Sequence, residues 1–156
     1  MTDSASTLRG SCFCKAVSYS VSGPPARSNY CHCSLCQRMH GSPFVHSIHY
    51  SASQLQWTHA EPHTNHIQRF QTPSKPWKYR VRCKQCGVMV AGQNTKTDRV
   101  NVFAAQMERD EDGKVRGWKT IQPKYHIFYD TRLMDVNDGL PKWSGYAEQS
   151  TLLFSG

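Results

Sequence analysis

Long apolar runs are missing from this chain. No window approaches 18 consecutive apolar residues, which excludes a membrane-spanning helix. The first ten residues, MTDSASTLRG, lack the basic-then-apolar layout of a secretory signal. Acidic side chains are scarce, with 11 Asp and Glu against 19 Lys and Arg. There is no phosphate-cradling glycine loop, no dinucleotide fingerprint and no Ser/His/Asp ordering, so nucleotide chemistry and triad hydrolysis find no support. No internal repeat, low-complexity linker or long amphipathic helical pattern is visible. Apolar residues make up 38%, low for 156 residues, so a single domain would need some support beyond apolar burial. These absences together predict a soluble, cytoplasmic protein without membrane partners.

What is present is period-two patterning. AVSYSV (16–21), PFVHSIHY (43–50), HIQRF (66–70), WKYRVRC (77–83), VMVAG (88–92), DRVNVFAA (98–105) and YHIFY (125–129) read as strands bounded by Gly, Pro, Asn and Ser. ERDEDGK (108–114) reads as a polar hairpin with a glycine turn. The expected fold is mainly β, with one domain over 10–143, a flexible N-terminus (1–9) and a loosely held tail (144–156).

The net charge of +8 invites a nucleic-acid reading, but seven thiolates on two Zn²⁺ would change it by −3, leaving about +5. The densest basic group, Lys75, Lys78, Arg80, Arg82 and Lys84, alternates with Trp77, Tyr79, Val81 and Cys83. That is the pattern of a half-exposed strand, or of a patch that attracts a small anion, ahead of a nucleic-acid surface.

Seven cysteines is an odd number, which a complete disulfide framework cannot absorb, and reduced intracellular thiols in clusters read as metal ligands. They fall into Cys12-x-Cys14, Cys31-x-Cys33-x-x-Cys36 and Cys83-x-x-Cys86-Gly87. The last has the form of a zinc knuckle, which supplies two ligands and needs two more from elsewhere. Pairing it with Cys12 and Cys14 closes a loop of about 70 residues and substitutes for missing core. Cys31, Cys33 and Cys36 then remain as three thiolates. Spacing leaves three outcomes open for them: a zinc with a free coordination position, a fourth ligand from His32, His40, His46 or His49, or no second metal.

GSCFCKAVSYSVSGPP, CHCSLCQRMHGSPF, CKQCG and YHIFYDTRLMDVNDGLPKW, in that order, resemble the glutathione-dependent formaldehyde-activating enzyme (Gfa) and centromere protein V family. The resemblance runs from Gly10 to about Trp143. It implies an Mss4-like fold of mixed, mostly antiparallel sheets joined at a structural zinc held by Cys12, Cys14, Cys83 and Cys86. It also implies a second zinc on Cys31, Cys33 and Cys36. The implied activity is that of a carbon–sulfur lyase akin to S-hydroxymethylglutathione synthase, with glutathione as cosubstrate and a thiol adduct or carbonyl compound as substrate. The alternative is a non-catalytic, zinc-stabilised binding module for a protein or nucleic acid. Neither reading fixes the oligomeric state.

Further candidates lie beside the three-cysteine run. Ser42 could line its opening, and His46 could serve as acid or base if residues 44, 46, 48 and 50 share one face of their strand. Gln37 and Arg38 are candidates for substrate binding, Arg38 through a carboxylate. Tyr125 and His126 read as core packing, and Asp138-Gly139 as a turn.

Overall fold

The computed structural model describes residues 7–156. Residues 1–6 of the expected flexible N-terminus lie outside that range, and Thr7–Arg9 open the first strand. The described residues form twelve strands and two short helices in mixed sheets, the mainly β class that the period-two patterning predicts. No helix among them is long and apolar enough to cross a membrane. The chain divides into two compact units, one holding the residues up to Ala26 with Ile48–Ile121, the other Arg27–Ser47 with Gln122–Gly156.

In the first unit, β1 (Thr7–Ser11), β2 (Ser18–Ser22) and β5 (Leu55–Trp57) form an antiparallel sheet with Leu8 opposite Val21 and Gly10 opposite Tyr19. The sequence SYSVS shows why β2 forms: Tyr19 and Val21 point inward while the serines alternate outward. A second antiparallel set runs β6 (Ile67–Thr72), β7 (Lys75–Cys83), β8 (Met89–Asn94) and β9 (Arg99–Phe103). Val17, Tyr19, Val21, Ile48, Tyr50, Val81, Val90, Val100 and Val102 are buried together as the core. Each such aliphatic side chain contributes about 1.5–3 kcal/mol. Cys12 and Cys83 belong to the same cluster, so the thiols are part of the core rather than appended to it. The short helix α2 (Trp118–Ile121) adds Ile121. Residues 108–114 do turn as a polar hairpin, with Arg109 bridged to Val115 and the Gly113 N–H on the Asp110 carbonyl.

The second unit is built around β3 (Arg27–Cys31) and β10 (His126–Ile127), which pair in parallel with Tyr30 opposite His126 and Cys31 opposite Ile127. On its other edge β10 pairs in parallel with β11 (Lys142–Trp143), and β12 (Leu152–Phe154) closes antiparallel on β11. Tyr30, His32, Phe44, His126 and Tyr129 bring their rings together with centroids 4.9–5.5 Å apart. Aromatic and imidazole rings do here what aliphatic side chains do in the first unit.

Strand β4 (Val45–Ser51) spans the division between the units. Its burial alternates, but the phase changes: Val45 and Ser47 are buried, then Ile48 and Tyr50. Residues 44, 46, 48 and 50 therefore do not share one degree of burial. The half-buried His46 does not share the environment of fully buried Ile48 and Tyr50.

Candidate metal centres

Cys12 and Cys14 sit at the tip of the hairpin between β1 and β2, and Cys83 and Cys86 at the tip between β7 and β8. The two tips are built alike. The N–H of Cys12 bonds the Val17 carbonyl at 2.9 Å, and that of Cys83 bonds the Val88 carbonyl at 2.9 Å. Each turn is completed by a residue of positive φ, Lys15 at 64° and Gly87 at 73°. Glycine takes that conformation without strain, which explains the Gly that follows the second cysteine pair.

The two tips meet. All four sulfurs lie within 4.8 Å of one another. Cys12 and Cys14 are 3.6 Å apart, and Cys14 and Cys83 3.7 Å. Four thiolates about 2.3 Å from a tetrahedral zinc stand about 3.8 Å apart, so the donor set and its spacing fit that ion. Burial, with the neighbouring thiols adding to it, pushes Cys12 up to about 12, against the Val17 N–H that donates to its sulfur. Cys86 lies lower, at about 6: burial opposes its thiolate, but the N–H groups of Cys14 and Val88 and the thiols of Cys14 and Cys83 together prevail.

Cys31, Cys33 and Cys36 form the second group, again with all sulfurs within 4.8 Å. Cys31 ends β3. Cys33 is the N-cap of α1 (Ser34–His40), its sulfur accepting from the Cys36 N–H at 3.4 Å, and Gly41 closes the helix in the left-handed conformation. Cys36 lies in the first turn. The thiols of Cys31 and Cys36 hold Cys33 well below the ordinary thiol range; burial opposes this, and the N–H groups of Cys36 and Leu35 assist. The thiols of Cys33 and Cys36, together with burial, push Cys31 far up. Three crowded thiols thus share too few stabilising partners to ionise together, a conflict that a dication relieves. The group includes no histidine or carboxylate among the described residues.

His32, between two of these thiols, turns away from them. Its N–H donates to the Ile127 carbonyl at 3.0 Å, and its carbonyl accepts from Gln37 Nε2 at 2.7 Å and Thr131 Oγ1 at 3.0 Å. Its Nε2 meets His126 Nδ1 at 2.7 Å, and His126 Nε2 meets Asp138 Oδ2 at 2.8 Å. Both imidazoles are 0% exposed. Asp138 also takes Lys142 Nζ at 3.2 Å on its other oxygen. Burial disfavours the Asp138 carboxylate, but bonds from His126, the Leu140 N–H and Lys142 prevail and hold its carboxyl below the ordinary range. An ionised Asp138 must accept from His126, which leaves His126 Nδ1 to accept from His32.

The remaining candidates are placed as follows. Gln37 spends its amide N–H groups on the His32 and Thr131 carbonyls. Arg38 is exposed on α1. Ser42 Oγ donates to the Phe44 carbonyl at 3.0 Å within its own turn. His46 Nε2 is 2.7 Å from Ser28 Oγ, and its ring meets Tyr30. Besides packing against Tyr30 and Phe44, His126 forms the centre of a polar chain that ends at Asp138. Sequence reasoning missed that role. The only available signal was a buried-strand histidine followed twelve residues later by an aspartate in a turn.

No curated protein matches the chain at a significant level. Among solved structures, a crystal structure of a Rhodobacter sphaeroides protein, determined as a structural genomics target, is similar with a TM-score of 0.51 and 22% identity. The similarity covers 69% of this chain and 96% of that one, which supports a shared fold. A family model described as "Glutathione-dependent formaldehyde-activating enzyme" matches residues 7–131, a span that contains all seven cysteines. With both thiol groups in place within that span, the chain belongs to the glutathione-dependent formaldehyde-activating enzyme family.

Proposed function

We propose that the protein is a zinc-dependent carbon–sulfur lyase-like enzyme acting on a glutathione adduct or a related small thiol or carbonyl compound. In this reading Cys12, Cys14, Cys83 and Cys86 hold a structural zinc, and Cys31, Cys33 and Cys36 hold a second zinc with an open coordination position. The observation that carries it is the three-thiol group, which gathers within 4.8 Å without a histidine or carboxylate of the described residues. Three ligands plus one free place is the catalytic pattern for zinc, and four thiolates the structural one. A zinc held there supplies Lewis acidity that favours a thiolate near neutral pH or polarises the oxygen of an adduct.

The chain's own residues fix the thiols that would hold the ion. The His32 N–H donates to the Ile127 carbonyl and Thr131 Oγ1 donates to the His32 carbonyl, which pins the peptide between Cys31 and Cys33, and Gln37 ties α1 to that same carbonyl. Three thiolates on one dication leave a net charge of −1, which favours a soft fourth partner such as sulfur. The reaction class balances without an oxidant. A thiol sulfur adds to a carbonyl carbon, the C–S bond forms as the C=O π bond breaks, and the thiol proton ends on oxygen. Reversal releases thiol and carbonyl.

X-ray absorption at the zinc edge tests the open position. Adding glutathione should raise the average from about 3.5 to about 4 sulfurs per zinc. An unchanged count, or a nitrogen already filling the fourth place, would overturn the reading.

A further inference from the structure

Asn29 is 0% exposed, and neither its Oδ1 nor its Nδ2 has a hydrogen-bond partner among the described residues. Native interiors leave few polar groups in that condition, and each one calls for an explanation. Its neighbours on β3 establish where it points. Ser28 bonds His46, Tyr30 packs on Phe44, His46 and His126, and His32 bonds His126. Residues 28, 30 and 32 therefore occupy one face. The two-residue period of the strand sends Asn29 to the opposite face, which it shares with Cys31. A buried amide with nothing to bond thus stands two residues from a thiol of the second group and on its side of the strand.

We propose that Asn29 is a specificity-determining residue of the Cys31–Cys33–Cys36 site, whose amide binds the hydroxyl of a hydroxyl-bearing thiol adduct. The inference rests on the reading of that site given above and deepens it. A hydroxyl is both donor and acceptor, and the amide answers both, with Oδ1 accepting the O–H and Nδ2 donating to its oxygen. A free carbonyl engages only the Nδ2 half, and a thioether lacking the hydroxyl engages neither. A site built to bond a hydroxyl rejects the analogue without one, because the buried polar group is then left unpaired. Asn29 thereby selects the adduct over its separate components.

The test compares two ligands on the full chain with its zinc content verified: glutathione pre-equilibrated with formaldehyde, and S-methylglutathione, which has the same skeleton without the hydroxyl. In Asn29→Leu, two zinc ions per chain and an equal or higher melting temperature are expected, since an unpaired amide is replaced by an apolar group of similar size. Affinity for the hydroxymethyl adduct should fall ten-fold or more, while affinity for S-methylglutathione stays within two-fold. Asn29→Asp, which keeps the shape, provides the same comparison if the leucine variant does not fold. Equal losses for both ligands, unchanged affinity for both, or a lowered melting temperature with selectivity intact would each overturn the proposal. The site reading fails separately, if the wild type binds neither ligand or if Cys33→Ser binds the adduct as the wild type does.

Discussion

The imidazoles of His32 and His126 share a buried hydrogen bond of 2.7 Å between residues 94 positions apart in sequence. It ties the peptide between two thiols of the second group to the ladder of β3 and β10. Asp138 anchors the far end and also neutralises Lys142, a lysine only 5% exposed. Asp138→Asn removes both partnerships at once. A stability loss of about 2 kcal/mol is expected, since the buried cation keeps the Leu140 carbonyl and the ring faces of Tyr129 and Phe154 but loses its counter-charge. Urea denaturation of zinc-loaded protein measures it, and a loss under about 0.5 kcal/mol contradicts the chain's structural role.

The same chain predicts a pH dependence. His126 faces His32, Asp138 and Lys142, and the rings of Tyr30 and Tyr129. Burial, assisted by the charge of Lys142, lowers its pKa by more than Asp138 raises it. The native ring is therefore neutral, whereas the unfolded one gains a proton near the ordinary value of about 6.5. Its contribution to stability is complete above that value and is lost as pH falls. The ¹⁵N signals of His126 should change to those of a charged imidazole only at a pH below the ordinary histidine value of about 6.5. In Asp138→Asn they should titrate lower still, because the carboxylate that favoured the charged ring has gone. A wild-type value above 6.5 would contradict this.

Cys83→Ser should abolish the fold rather than activity alone. Cys83 is 1% exposed, lies in the core cluster and meets Cys14 across 69 positions. A structural zinc contributes about 10 kcal/mol or more in small domains, comparable to the whole net stability of about 5–15 kcal/mol. Calorimetry of the variant should show no cooperative transition near the wild-type temperature.

Cys33→Ser should behave in the opposite way. Serine is itself a favourable N-cap, so the bond from the Cys36 N–H survives and α1 is kept. The variant should remain folded, hold about one zinc per chain instead of two, and show no turnover. Metal analysis alongside circular dichroism separates this outcome from general unfolding.

β2 and β7 could be read from the sequence because apolar and polar residues alternate along them, and β8 because it opens on an apolar run that is buried throughout. β3 could not. RSNYC buries Ser28, Asn29 and Cys31 because β3 lies inside its sheet, paired in parallel with a strand almost a hundred residues later. α1 escaped because its seven residues bury none of their number and so leave no helical period. The division of the cysteines was suggested by local spacing, since a knuckle announces its own turn. The Asp138–His126–His32 chain and the unpaired Asn29 have no local signature. Each is a product of strand pairing, which sequence periodicity does not encode.

The two thiol groups also differ in when they can exist. Cys31, Cys33 and Cys36 are all present once residue 36 has left the ribosome, whereas the first group is incomplete until residue 86 has followed. A nascent chain thus offers its three-thiol trap to the surrounding metal pool before it has a fold to protect it. Soft ions bind thiolates well whatever the final geometry, so the trap meets every competitor for zinc at its least selective moment. Any ion that the second group holds would therefore depend on the conditions of synthesis, while one in the first group would be selected later, as the chain folds.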